Sequence, residues 1–236
     1  MNDIKGHYEA HYSQGYLGKA RGRHCYPVEF VVRTFLGTSY PALKLDRDYQ
    51  GKRVLDLGCG DGRNIPMLWN CGLEVYGVEI TATICRSVEE RMKTVFGIGC
   101  EIKPGTNARI PFPDNYFDYI LACHSLYYVE DNTIFADNLN EFARVAKSGG
   151  YCVVSLPDPR GTMLQGAVPC GEGHYRISSD PLSLRNGSQF RVFESTEEIC
   201  RVFAPFFEDF SIGHCAEDYY GFFQSMWIVC MKRKGR

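Results

Sequence analysis

Apolar runs that stop at glycine or proline alternate with stretches of helical period along the middle of the chain. KRVLDLG (52–58) has the pattern of a strand, GRNIPMLWNCG that of a helix, and LEVYGVE (73–79) that of the next strand. TATICRSVEERMKTVFG follows with helical spacing, and Thr81 or Thr83 is placed to cap it. GCEIKPG (99–105), FDYILACHS (117–125) and GGYCVVSLP (149–157) bring the strands to five, and NTIFADNLNEFARVAK (132–147) sets Ile134, Leu139, Phe142 and Val145 near one helical face. Strands alternating with helices predict parallel strands joined by right-handed crossovers, hence a doubly wound α/β sheet. A helix near 195–204 precedes two further strand patterns, PFFEDFSIGH and YYGFFQSMWIVCMKR. No helix fits between those two, so the last strand is expected to pair antiparallel and complete a seven-stranded sheet.

Two stretches stand outside this alternation. Residues 1–45 hold a helical run, PVEFVVRTFL, behind a leader rich in tyrosine and arginine, and are expected to form an N-terminal cap. Residues 158–195 carry DP, GEG, DP and NG clusters without a clear period. They follow the C-terminal end of the fifth strand, where ligands bind in open α/β sheets, so a lid or substrate insert is expected there. The chain thus divides, within one domain, into a cap (1–45), a cofactor-binding half (46–157), the insert (158–195) and the C-terminal part of the sheet (196–236).

Composition narrows the function classes. Of 236 residues, 44% are hydrophobic and 14% aromatic, enough for a sizeable core. A net charge of -2 gives no general attraction for nucleic acid or an anionic membrane, and neither partner is expected. The N-terminal MNDIKGHYEAHYSQGYLGKARGRH has no apolar signal region, and no stretch approaches the ~20 apolar residues of a membrane span; a cytoplasmic protein is expected. The eleven cysteines are scattered without a C-x-x-C pair, so they are expected to be reduced structural side chains, with no metal site.

The chemistry concentrates after the first strand. In Val54-Leu55-Asp56-Leu57-Gly58-Cys59-Gly60-Asp61-Gly62-Arg63-Asn64, glycines let the backbone turn tightly and approach a ligand. The spacing is G-x-G-x-G, not the G-x-G-x-x-G of dinucleotide sites, which disfavours an NAD-dependent dehydrogenase. An aspartate two residues before the first glycine suits a cationic group better than a pyrophosphate.

VLDLGCGDGRN resembles motif I of the class I methyltransferases that use S-adenosylmethionine (SAM), and further segments agree in order. Glu79 ends the second strand, 19 residues after Gly60. GTNARIPF (105–112) is similar to the family's third-strand loop, with Thr106 where an aspartate is usual. PDNYFDYILACHSLYYV and LNEFARVAKSGGYCVVS are similar to its fourth strand and to the helix and strand that follow. The resemblance covers about residues 50–156; the flanks are similar to those of bacterial surface-carbohydrate methyltransferases. It implies a Rossmann-like fold, SAM as cofactor and S-adenosylhomocysteine (SAH) as product.

The resemblance also implies roles. Asp56 would orient the methionine ammonium through the loop of Gly58 and Gly60. Glu79, with Ile80 beside it, would hold the ribose hydroxyls, and Thr106, Asn107 and Ala108 would meet adenine. His124 and Ser125 would line the methionine moiety, although His124 could equally be a base or a core histidine. An acceptor pocket is expected from Tyr16, His24 and Tyr26 of the leader, Tyr127 and Tyr128 near the sulfonium, and Arg176, Tyr219 and Tyr220, with Arg185 contributing charge. His174 in the insert is the expected general base if the acceptor is a neutral hydroxyl; an anionic acceptor needs none. The leading expectation is O-methylation of a small polar or saccharide-like molecule. N-methylation of a small amine, a C- or S-acceptor, and a SAM-binding regulator without transferase activity stay open. The amino-methylating motif of nucleic-acid enzymes is missing, because that position reads His124-Ser125-Leu126-Tyr127.

Overall fold

The computed structural model describes residues 25–180 and 183–235. The apolar runs become strands where their pattern placed them: β1 (Arg53–Leu57), β2 (Glu74–Glu79), β3 (Glu101–Pro104) and β4 (Phe117–Ala122). A two-residue β5 (Tyr128–Val129) follows, then β6 (Ala146–Pro157), and later the long pair β10 (Phe207–Tyr219) and β11 (Phe222–Arg233). The main sheet has the order β10-β11-β6-β4-β1-β2-β3. Pairing is parallel from β3 through to β6, whereas β11 is antiparallel to both of its neighbours. This is the doubly wound, Rossmann-like sheet with an antiparallel last strand that the alternation predicted.

Helices cover both faces, which is why β1 is an almost uninterrupted apolar run. On one face lie α1 (Glu29–Leu36), α2 (Ile65–Asn70) and α3 (Ala82–Arg91), packing Val31, Ile65, Leu68, Ile84 and Val88 against Val54, Val75 and Leu121. Thr81 caps α3, its hydroxyl accepting from the Ile84 N–H at 3.3 Å. On the other face α4 (Phe135–Val145) and α5 (Thr196–Phe203) bury Phe142, Phe203 and their neighbours against Leu55, Ile120 and Val154. Five cysteines are buried in these two layers, where they pack as small apolar groups.

The insert is more regular than its loop-like sequence suggests. Three short strands, β7 (Val168–Gly171), β8 (His174–Arg176) and β9 (Gln189–Arg191), join β5 in a second, antiparallel sheet of order β5-β9-β8-β7. Strands of three or four residues are too short to display a period, and β7 is exposed throughout. Their pairing depends instead on Tyr127, Phe190, Ile177 and Val192, which form a separate apolar cluster with Met226 of β11. The hairpin of β10 and β11 also reaches past the sheet. Its pairing continues to Tyr219 opposite Phe222, while β11 leaves β6 at Met226 opposite Pro157. The overhang and the small sheet therefore flank the C-terminal edge of the main sheet, above β1 and β4. Among the described residues no helix is long and apolar enough to cross a membrane.

Candidate active site

The turn after β1 is built for close approach. Gly58 has φ +69°, and a Cβ there would stand 2.5 Å from the Ser125 Cβ, so only glycine fits. Its N–H and that of Cys59 donate to the Val78 carbonyl at 2.9 and 3.1 Å, tying the turn to the end of β2. The Ser125 hydroxyl donates to the Leu57 carbonyl. Asn107 locks the third-strand loop to the fourth, its amide donating to the carbonyls of Ser125 (2.8 Å) and Tyr128 (3.1 Å). These bonds hold open a cavity of about 180 Å³ between the ends of β1, β2 and β4.

Glu79 stands on its wall. One carboxylate oxygen accepts from Gly60 N–H at 3.0 Å and the other from Ile80 N–H at 2.7 Å, which fixes the plane of the group. Burial raises its pKa, opposed by those two backbone donors. Each oxygen keeps a further lone pair, the geometry that accepts a vicinal diol. Gly58, Ile80, Thr106, Asn107, His124 and Ser125 line the same cavity, as do Gly105, Glu130, Asp131 and Gly187, which the sequence did not single out. Ala108 is half-buried and lines neither this cavity nor the next.

A second, larger cavity of about 790 Å³ opens on the other side of Gly58, His124 and Tyr128, which line both. Its walls come from α1 (Phe30, Arg33), the glycine turn (Gly60, Arg63), Tyr127, Arg185, and the overhanging hairpin (Tyr219, Gln224, Met226). At the junction His124 takes a left-handed φ of 57°. Its backbone N–H donates to the Ser155 hydroxyl at 2.8 Å, and its ring stands edge-on to Phe30. Burial, reinforced by Arg63 and Arg185, lowers its pKa to about 3. The imidazole is therefore neutral at physiological pH.

Asp56 is wholly buried and lines neither cavity. Both its oxygens lack a hydrogen-bond partner among the described residues. Burial lifts its pKa to about 7 against the opposing influence of Arg63 and Asn64. Lying behind the turn, it has no direct access to either cavity.

The expected acceptor residues divide. Tyr127, Tyr128 and Tyr219 line the second cavity. Tyr26 is 74% exposed and Tyr220 sits fully exposed at the hairpin tip; neither reaches a cavity. Arg176 also stays outside both, donating to the Gly187 carbonyl at 2.8 Å. His174 belongs to β8, its Nδ1 2.7 Å from the Glu172 carbonyl, and lines neither cavity. Tyr16 and His24 lie outside the described residues. Phe30 and Arg33, by contrast, were hidden in a helix whose apolar face looked like ordinary core.

Residues 55–154 match a family described as "Methyltransferase domain". A demethylmenaquinone methyltransferase of Tropheryma whipplei (strain Twist) is 35% identical over 104 residues, 44% of this chain and 41% of that protein. A protein of the same name from Geobacillus sp. (strain WCH70) is 31% identical over 123 residues, 49% of each chain. The chain thus spans less than half the length of these curated relatives. A SAM-dependent methyltransferase from Methanosarcina mazei has a similar fold, with a TM-score of 0.64 at 19% identity, covering 84% of this chain and 99% of that one.

Proposed function

We propose, from the premise that this chain carries a class I SAM-dependent methyltransferase domain, that it methylates an oxygen of a small polar or saccharide-like acceptor that enters ionised. The observation that carries this is the meeting of two cavities at Gly58, His124 and Tyr128. The residues fit the cofactor: Glu79 offers a fixed carboxylate to a ribose, and the left-handed Gly58 leaves room for a ligand chain to pass. When bound, SAM supplies an activated methyl group that needs no further acid catalysis. The protein's task is alignment and exclusion of water. Asn107 and Ser125 fix the two loops at the cofactor side, and the hairpin overhang with α1 walls the acceptor side.

The support for an ionised acceptor is the charge at the junction. His124, held neutral with a pKa near 3, is too weak a base to take a proton from a neutral alcohol at physiological pH. His174 lines neither cavity. Arg185, which lines the second cavity, adds a guanidinium to its wall while paired behind with the buried Asp180 at 3.1 Å. Carboxylic acids, sugar acids and phenols acidic enough to ionise near neutral pH meet these conditions. The relatives' acceptor is a weaker guide, because each match covers less than half of either chain.

The test is release of SAH from SAM with a panel of carboxylates and phenols set against neutral sugars and amines. Turnover with ionised oxygens, its rate tracking the ionised fraction of each phenol, is expected. Transfer confined to amines or neutral sugars would overturn the reading of the acceptor, and SAM binding without turnover on any acceptor class would favour a regulator.

A further inference from the structure

The hairpin presents a graded face to the larger cavity. In an antiparallel pair, residues directly opposite share a face, and every second residue along a strand turns the same way. The register therefore stacks three pairs on one face of the hairpin: Cys215 with Met226, Glu217 with Gln224, and Tyr219 with Phe222. All of them line the larger cavity, as does Ile228 one step further in. The scale starts at the junction, because Ile228 stands opposite Ser155 of β6, whose hydroxyl accepts from the His124 N–H. Outward from there the wall is apolar at Ile228, Met226 and Cys215, polar at Gln224 and Glu217, and aromatic at Phe222 and Tyr219. Each step is two strand residues, about 7 Å, so Gln224 lies about 13 Å beyond Ile228.

Helix α1 repeats the gradient. Phe30 stands edge-on to His124 beside the junction. Glu29 and Arg33, paired with each other, lie near the outer pairs. The Cys215 thiol, raised by burial, also feels Glu217 and Glu29, and Tyr219, whose hydroxyl donates to Glu217, feels Glu29 as well. Glu217 forms no ion pair, and the half-buried Gln224 amide no hydrogen bond, among the described residues. A sugar ring carries donors and acceptors on every side, whereas the inner part of these two walls offers it only apolar side chains. A flat hydrocarbon ring fills the same space and leaves no polar group unpaired.

We propose that the acceptor is a linear aryl acid or acidic phenol with a hydrogen-bond donor, a hydroxyl or an amine, at its far end, and that Gln224 and Glu217 select it. This rests on the reading of the site above and narrows it from ionised oxygens in general to those on a flat apolar body. The ionised oxygen lies at the junction, and the rings lie between Phe30 and Met226. The distal donor meets the Glu217 carboxylate and the Gln224 side-chain carbonyl, which fixes the length of acceptor that fits.

Calorimetry on the full-length chain saturated with SAH tests this with four probes. They are a linear biphenyl carboxylate, the same acid with a hydroxyl at the far end, the neutral carboxamide of that hydroxylated acid, and glucuronate. The hydroxylated acid should bind about tenfold tighter than the plain one, as one added hydrogen bond predicts, and both should bind at least about tenfold tighter than glucuronate. In the double variant Glu217→Leu/Gln224→Leu, the advantage of the hydroxyl should shrink to less than about twofold, with each single variant in between. Thermal melts first confirm folding, and the single variants carry the test if the double one does not fold. Glucuronate binding as tightly as the aryl acids, no binding of either aryl acid, no gain from the hydroxyl, or a gain that survives the substitutions would each overturn the proposal. A carboxamide that binds as well as its acid would instead remove the ionised-oxygen reading, while the hydroxyl's advantage still judges the wall. Failure of the wild-type protein to bind SAH would remove the cofactor reading itself.

Discussion

The two halves of the pocket are built by different means. On the cofactor side, the walls are the ends of β1, β2 and β4, each bonded to parallel neighbours and buried on both faces. Backbone bonds from adjacent turns position Glu79, Gly58 and Asn107 there. On the side of the larger cavity, the walls are side chains from α1, the overhanging hairpin and connecting segments such as those of Tyr127 and Arg185. One half is rigid because the sheet cannot form without it. The other is assembled on top and can change without disturbing the core, so a common cofactor half can serve many acceptors.

Substitutions should separate the halves. The largest effect is expected at Asp56, and on stability. Its folded pKa of about 7 lies above the ordinary carboxylate value because it is buried. The folded state therefore holds a proton that the unfolded chain has released, and stability attributable to this group falls as pH rises from about 4 to about 7. Asp56→Asn should be more stable than wild type by a margin that grows over that window to about 4 kcal/mol and is flat above it. Urea denaturation at several pH values measures this; a constant margin would mean that Asp56 stays ionised. Glu79→Ala should weaken SAH binding by about 3 kcal/mol, because the ribose loses its acceptor and two backbone donors lose theirs. Calorimetry showing less than a threefold change would detach Glu79 from the cofactor.

Gly58→Ala comes next. It forces a side chain into a left-handed φ and against Ser125, so a loss of about 2 kcal/mol in stability, with weaker SAH binding, is expected in denaturation and titration. On the acceptor side, Arg185→Ala should raise the KM of an anionic acceptor about tenfold and leave SAH affinity unchanged, as steady-state kinetics would reveal. The smallest effect is expected at His174, which lines neither cavity. His174→Ala should alter kcat by less than about twofold, and a drop of 100-fold would return it to the role of base.

Much of the lining of the smaller cavity was legible in the sequence. Glycine spacing, an acid at the end of β2 and strand–helix alternation are local patterns, and parallel topology turns them into a pocket almost without choice. Asp56, Glu79 and Gly58 could be named because strand ends and the turns that follow them converge in this fold. The insert was opaque for the opposite reason: three-residue strands have no period, and their partner β5 lies some sixty residues upstream of β9. His174 was the expected base because the insert looked like a lid and Tyr175 and Arg176 adjoin it, but a chain reading cannot tell whether a residue of a short strand lines a cavity, and this one lines neither. The graded face of the hairpin was equally unreadable, since it depends on which residues of β10 stand opposite which of β11.

The sequence by itself determined the succession of strands and helices along the chain, the antiparallel end of the sheet and the glycine turn after β1, because hydrophobic period and glycine position act over a few residues. The tertiary structure alone decided which aromatic and basic side chains face the larger cavity. Tyr127 and Tyr219 reach the larger cavity while Tyr220, next in the chain, points into solvent. That choice depends on hairpin register and on packing between elements distant in sequence. A one-residue slip in such a strand exchanges one face for the other, and nothing in the local composition records it.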